Sequence, residues 1–185
     1  MINKSNIIIL CLCFFSLVKG QLEVSPIISQ EDVNQLMPFE NLIVNDFFGC
    51  DVEVFNVSYE GHTESIGTFN YIQNDNLCAG DFGLDRGLLM TTGMIEYATG
   101  PNNDGDDGEE WNVEYLDEFI HDYLVNFEVI SPSVGLFDAC VLEFDVTSSV
   151  LQSIDFEVIF GSEEYTEWMS PFYADAFCFF VSEIN

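Results

Sequence analysis

Between Cys140 and Phe160 the hydrophobicity of the chain repeats every two residues, and this period dictates what most of the sequence can fold into. Cys140, Leu142, Phe144 and Val146 alternate with Val141, Glu143 and Asp145, and further on Ile154, Phe156, Val158 and Phe160 alternate with Asp155 and Glu157. Successive side chains of an extended strand point to opposite faces, so each run predicts a half-buried antiparallel strand. Phe177 to Val181 is apolar at nearly every position, as a central strand covered on both faces would be. Upstream, Cys50, Val52 and Val54 alternate and then Phe55, Val57 and Tyr59 continue in the opposite phase, which predicts a strand with a bulge near Val54. Phe69 with Tyr71, and the segment GLLMTTG from Gly87 to Gly93, predict two further strands between turn residues.

In two places the period changes. Ser29 and Asp32 followed by Val33, Leu36 and Met37 predict a short capped helix. Leu116, Phe119, Ile120, Tyr123, Leu124 and Phe127 share one face of a second helix, and Asp117, Glu118, His121 and Asp122 occupy the other, which makes His121 a solvated surface residue. The segment GPNNDGDDGEE from Gly100 to Glu110 combines Pro, Gly and Asn with no apolar contact and predicts a loop. Several strands with one or two inserted short helices favour a mostly β protein, an antiparallel β-sandwich, over an alternating βαβ fold.

Charge decides which partners such a fold can have. The 185 residues hold 33 Asp plus Glu against 3 Lys plus Arg, a formal charge of -30. Such a surface repels phosphate backbones and anionic lipids, which excludes nucleic acid, and attracts divalent cations and basic partners. Hydrophobic residues make up 48% of the chain, too many for a disordered acidic tail, so the charge surrounds a core. Lys4 precedes an apolar run from Ile7 to Val18 that ends in Val18, Lys19 and Gly20, the pattern of a secretory signal peptide over residues 1–20, with the domain over 21–185. That run is too short to cross a bilayer core of about 30 Å, and no other run is longer, so no transmembrane segment is expected. Cys11 and Cys13 lie within the run without a lipobox, and removal of the leader leaves Arg86 as the remaining base.

An exported chain can use cysteines as disulfides. Cys50, Cys78, Cys140 and Cys178 survive cleavage, and the candidate bridge is Cys50 to Cys78: the first opens a strand, and the second sits in the polar loop NDNLCAGD, where a free thiol would be oxidised. Cys140 and Cys178, each inside an apolar run, are either buried thiols or a second bridge. None belongs to a CxxC pair and His62 and His121 are distant in sequence, which is not a zinc pattern. Phosphate-binding glycine loops, a GxSxG elbow and an HExxH helix are all missing from the sequence.

Two acidic constellations carry the remaining chemistry. Glu163, Glu164, Glu167 and Asp175 lie between two predicted strands whose pairing would bring the carboxylates together. Three readings of them stand open: a solvated turn, a calcium site using several carboxylate oxygens, or a glycosidase-like acid pair in a carbohydrate-active enzyme. Asp104, Asp106 and Asp107 share a Gly-rich loop with Asn102 and Asn103; Asp107 and Val113 stand where an EF-hand needs glycine and glutamate, so this is a looser calcium loop or a solvated turn. No other cofactor is indicated.

The order of several segments resembles the choice-of-anchor L domain family of secreted bacterial surface proteins. The resemblance rests on NVSYEG (56–61) with IGTF (66–69), GLLMTTG (87–93), GPN (100–102), DACVLEFDV (138–146), FEVIFGSEEYTEW (156–168) and DAFCFFVS (175–182). Cys178 stands where the family pattern has glycine, and Ala174 stands where asparagine precedes the aspartate, which removes one oxygen ligand there. The resemblance implies a non-enzymatic extracellular β module of a secreted or cell-surface protein, in an adhesion or matrix role toward a glycan or protein ligand. It also implies that this chain is the N-terminal portion of a larger protein, with its anchor encoded downstream. It assigns no catalytic or ligand-binding residue.

Export with cleavage after Gly20 has a direct readout. N-terminal sequencing of the secreted protein is expected to begin at Gln21, and material that begins at Met1 would exclude cleavage.

Overall fold

A computed structural model describes residues 2–11, 21–27, 43–48, 52–72, 83–99, 113–115, 118–150, 153, 156–161 and 176–183. Among the described residues nine strands and one α-helix follow one another: β1 (Ile2–Cys11), β2 (Gln21–Pro26), β3 (Glu53–Glu60), β4 (Ile66–Ile72), β5 (Arg86–Met90), β6 (Glu114–Tyr115), α1 (Glu118–Asn126), β7 (Leu136–Phe137), β8 (Cys140–Ser148) and β9 (Cys178–Glu183). The described residues also form a π-helical turn at Ile43–Phe48 and 3-10 turns at Thr63–Ser65 and Ile95–Thr99. The protein is thus mostly β. The helix predicted from Ser29 to Met37 lies outside the described residues.

One sheet has the order β3-β8-β1-β9 and a second the order β2-β4-β5, with all neighbours antiparallel; β6 and β7 form a two-stranded ribbon. The sheets share one core. Val57 of β3 and Cys140, Leu142, Phe144 and Val146 of β8 meet Ile66 of β4, Met90 of β5 and Ile43 of the π-helical turn. Close approach inside the second sheet depends on Gly67, because a Cβ there would stand 2.5 Å from the Ser25 carbonyl oxygen.

The first sheet differs from the sequence reading in three respects. Periodicity made β8 half-buried, yet Val141 and Asp145 on its second face are buried as well as the residues on its first. That second face is covered by α1, whose Ile120 and Leu124 pack with Val141. The run ending at Phe160 is not a strand over 156–160: Phe156 packs into the core while Val158, Ile159 and Phe160 are exposed. Phe156 meets Phe48 and Phe179, and the residues after it gain no ladder partner among the described residues. Finally, among the described residues β9 is an edge strand rather than a central one, paired with β1 and exposing Val181. The expected bulge does occur, slightly later than Val54: the β3–β8 register shifts between Phe55 and Ser58, where Asn56 has a φ of 52°. Asn tolerates this left-handed conformation better than β-branched residues do.

A short polar link joins the sheets. Between β3 and β4 the chain crosses from one sheet to the other through the turn at Thr63–Ser65. The Ser65 carbonyl accepts from the Thr91 amide at 2.8 Å, and the Ser65 hydroxyl donates to the Gly93 carbonyl at 2.9 Å. The Thr91 hydroxyl makes a short hydrogen bond to the same Gly93 carbonyl. Tyr59 donates its hydroxyl to the His62 carbonyl at 2.7 Å, leaving its oxygen 3.2 Å from the Cys140 sulfur. The thiol also lies 3.4 Å from the Ser65 carbonyl and can donate its single proton to either oxygen. These contacts explain why GLLMTTG is not one strand: β5 ends at Met90, and Thr91 and Gly93 turn to serve the Ser65 segment.

Two hydroxyls serving one carbonyl make the link redundant. Ser65→Ala or Thr91→Val alone is expected to cost about 1 kcal/mol, the net worth of one hydrogen bond. The double variant should cost more than the sum, because the Gly93 carbonyl then loses both hydroxyl donors. A double-mutant cycle by urea unfolding measures this coupling, and strict additivity would show that the two hydroxyls act independently.

Candidate functional site

The residues that sequence reasoning singled out for chemistry, Glu163, Glu164, Glu167 and Asp175 in one segment and Asp104, Asp106 and Asp107 in another, lie outside the described residues. So do Cys50 and Cys78. Among the described residues no group of three His, Cys, Asp or Glu side chains is placed to hold a metal ion. Cys140 and Cys178 are both free thiols, Cys140 buried and Cys178 half-buried. Burial raises the Cys178 pKa, so its thiol stays neutral through the physiological range. The sign follows directly: folding favours the neutral thiol, so its contribution to stability is lost only as pH rises above the ordinary thiol pKa of 9.0.

Among the described residues an exposed cluster of aromatic rings lies on α1 and just beyond its end. Helical spacing put Leu116, Phe119, Ile120, Tyr123, Leu124 and Phe127 on one face; Leu116 lies outside the described residues, and of the rest Ile120 and Leu124 alone are buried. Phe119 and Phe127 are each 64% exposed and Tyr123 38%. The helix lies over the first sheet on a narrow line through Ile120 and Leu124, and the apolar stripe is wider than that line, so its aromatic flank faces outward. The flank is ordered by its own contacts. Tyr123 and Phe127 have ring centroids 4.6 Å apart, Phe180 of β9 stands edge-on to Tyr123 at 5.0 Å, and Phe119 approaches Phe180 at 5.9 Å.

Acids border this aromatic strip. Glu118, Asp122 and Glu128 are exposed along or just beyond the helix. Glu128 closes the helix in the left-handed conformation, φ 59°, with its amide on the Val125 carbonyl and the Val129 amide on the Leu124 carbonyl. Those two bonds form a Schellman motif in which glutamate stands at the usual glycine position. His121 is not the solvated residue expected from its place on the polar face: its Nε2 lies 3.0 Å from the Val134 carbonyl oxygen, tying the helix to the segment before β7.

A second polar pair lies on the same face of the sheet. Asp145 is only 7% exposed, and its carboxylate accepts from the Asn56 side-chain amide at 2.6 Å. The bulge in β3 sets Asn56 opposite this acid. With hardly a base available in the chain, an amide dipole does what an ion pair does in other proteins. This pair is structural. Its sequence signal was the phase change in β3, while the aromatic strip was visible as an excess of rings on one helix face.

The choice-of-anchor L domain model matches residues 28–185, and the chain belongs to that family. This places it among modules of secreted or cell-surface proteins. No curated protein and no solved structure matches it. No helix among the described residues is long and apolar enough to cross a membrane.

Proposed function

We propose that the protein is a non-enzymatic adhesion module, exported through a cleaved leader, that binds an extracellular glycan through the aromatic strip of Phe119, Tyr123, Phe127 and Phe180. The observation that carries this is the exposure of three ordered rings on one helix in a highly acidic chain. Exposed apolar surface of this kind marks an interaction site, and the faces of aromatic rings suit the C–H faces of sugars. The bordering carboxylates of Glu118 and Asp122 supply acceptors for hydroxyl groups. The same acids repel acidic proteins and nucleic acids. Packing of the two sheets as a β-sandwich accords with their shared core.

Calcium is the ligand we assign to the acidic segments, with Glu163, Glu164, Glu167 and Asp175 as one candidate set and Asp104, Asp106 and Asp107 as the other. Close carboxylates repel one another, and a divalent cation with six to eight oxygen ligands offsets that repulsion.

Retention on insoluble cellulose, chitin and xylan tests the glycan reading. At least one polymer should retain the protein without releasing reducing sugar, and Tyr123→Ala with Phe127→Ala should weaken retention at least tenfold while leaving the circular dichroism unchanged. Undiminished retention would remove the strip from the interaction. Calcium is tested by thermal unfolding with calcium, magnesium or chelator at matched ionic strength. A calcium-specific stabilisation of about 2.7 kcal/mol is expected at a hundred times the dissociation constant, lost in Glu164→Gln or Asp106→Asn. Identical curves would leave the carboxylates as solvated surface.

A further inference from the structure

The strand between β8 and β9 comes from the segment that reads as an export leader. β1 is antiparallel to both neighbours: Ile7 is opposite Phe144 and Val181, and Leu10 is opposite Val141 and Cys178. β8 and β9 therefore run parallel to each other with one strand between them. Among the described residues β9 has no other neighbour in the sheet. Removal of residues 1–20 would take this strand away and leave two facing rows of backbone donors and acceptors.

Packing on both faces opposes closure of that gap. On one face α1 spans it: Leu124 and Ile120 pack with Val141 of β8, Cys178 of β9 joins the same cluster, and Tyr123 meets Phe180. On the other face Phe48 contacts Phe144 of β8 and Phe156, and Phe156 contacts Phe179 of β9 at 4.5 Å. Direct pairing of β8 with β9 would need one of them to move by about 4.8 Å, the spacing between strands, and would break both sets of contacts.

We propose that in the processed protein the gap between β8 and β9 accepts an extended segment of a second polypeptide, running antiparallel to both strands. The inference rests on cleavage of the leader, and the walls of the gap define the occupant. Over the register from Phe144 to Val141 and from Val181 to Cys178 the walls are apolar apart from Glu143, so four consecutive large aliphatic residues, most of them β-branched, fit there. One position earlier the neighbours are Asp145 and Ser182, which call for an uncharged polar residue able to donate. The strand now in place, Asn6 followed by Ile7, Ile8, Ile9 and Leu10, has this pattern. Main-chain hydrogen bonds on both edges would hold the guest and the apolar walls would select it, as in other cases of strand addition.

The test uses the whole chain with a specific protease site placed within residues 12–20, so that β1 can be severed after folding. The probe is a fluorescein-labelled peptide of residues 2–11 carrying Cys11→Ser. The cut chain is expected to take up one equivalent of probe, and the uncut chain at least tenfold less. An Ile8→Pro probe should bind at least tenfold more weakly, because a strand flanked on both edges uses every backbone N–H. Absence of uptake by the cut chain, equal uptake of the proline probe, or loss of circular dichroism on cutting would each overturn the proposal. Secreted protein that still begins at Met1 would overturn it by a different route, since the gap would then never open, and the exchange result distinguishes that case from a gap that closes.

Discussion

Burial of β8 on both faces is the constraint on which the rest of the structure depends. A strand buried twice needs a layer above, a layer below and a partner along each edge, and each requirement accounts for a different part of the chain. The second sheet and the π-helical turn cover Leu142 and Phe144, α1 covers Val141, and β3 and β1 take the two edges. Loss of any one of these exposes part of the others, so the first sheet behaves as a unit although its strands lie far apart in sequence.

The scarcity of bases shapes how polar groups are handled inside. A buried carboxylate in most proteins meets arginine or lysine; here Asp145 meets an amide, delivered by a bulge that would otherwise weaken the sheet. The Ser65 and Gly93 carbonyls are served by hydroxyls, an amide and a thiol. The last turn of α1 holds no basic residue to oppose the helix dipole, and the Schellman bonds around Glu128 satisfy its terminal carbonyls instead. Buried hydrogen bonds from uncharged donors are short-ranged and little affected by salt, while the acidic exterior responds strongly to it.

Strand identity was legible in the sequence for β3, β4, β5 and β8, where side chains alternate or turn residues intervene, but the alternation ending at Phe160 made no strand over 156–160, and β1, β2, β6 and β7 were not read as strands. Strand position was not legible. An apolar run such as Phe177 to Val181 reads as central because its residues suit two covered faces, but coverage of faces and pairing of edges are separate conditions: Phe177 to Phe180 are half-buried, Val181 is exposed, and among the described residues β9 is paired along one edge alone. Helical spacing identified α1 but not its contact width, since the pattern cannot reveal that the sheet below offers a line rather than a plane. The phase change in β3 signalled the bulge at Asn56 but not its partner Asp145, which is 89 residues away and meets it only through register. The family was legible from the order of its segments, whereas adhesion, calcium and the bridge between Cys50 and Cys78 rest on expectation.

The position of β1 also fixes a schedule. Its two neighbours occupy residues 140–148 and 178–183, so β1 leaves the ribosome long before its first partner, and longer still before its second. Loop closure over such distances is slow, and helices and hairpins form well before it. Throughout that interval the apolar run beginning at Ile7 has no place in a folded sheet. For the export leader proposed over residues 1–20 this delay would be an advantage, because the targeting machinery would compete with a folding partner that does not yet exist.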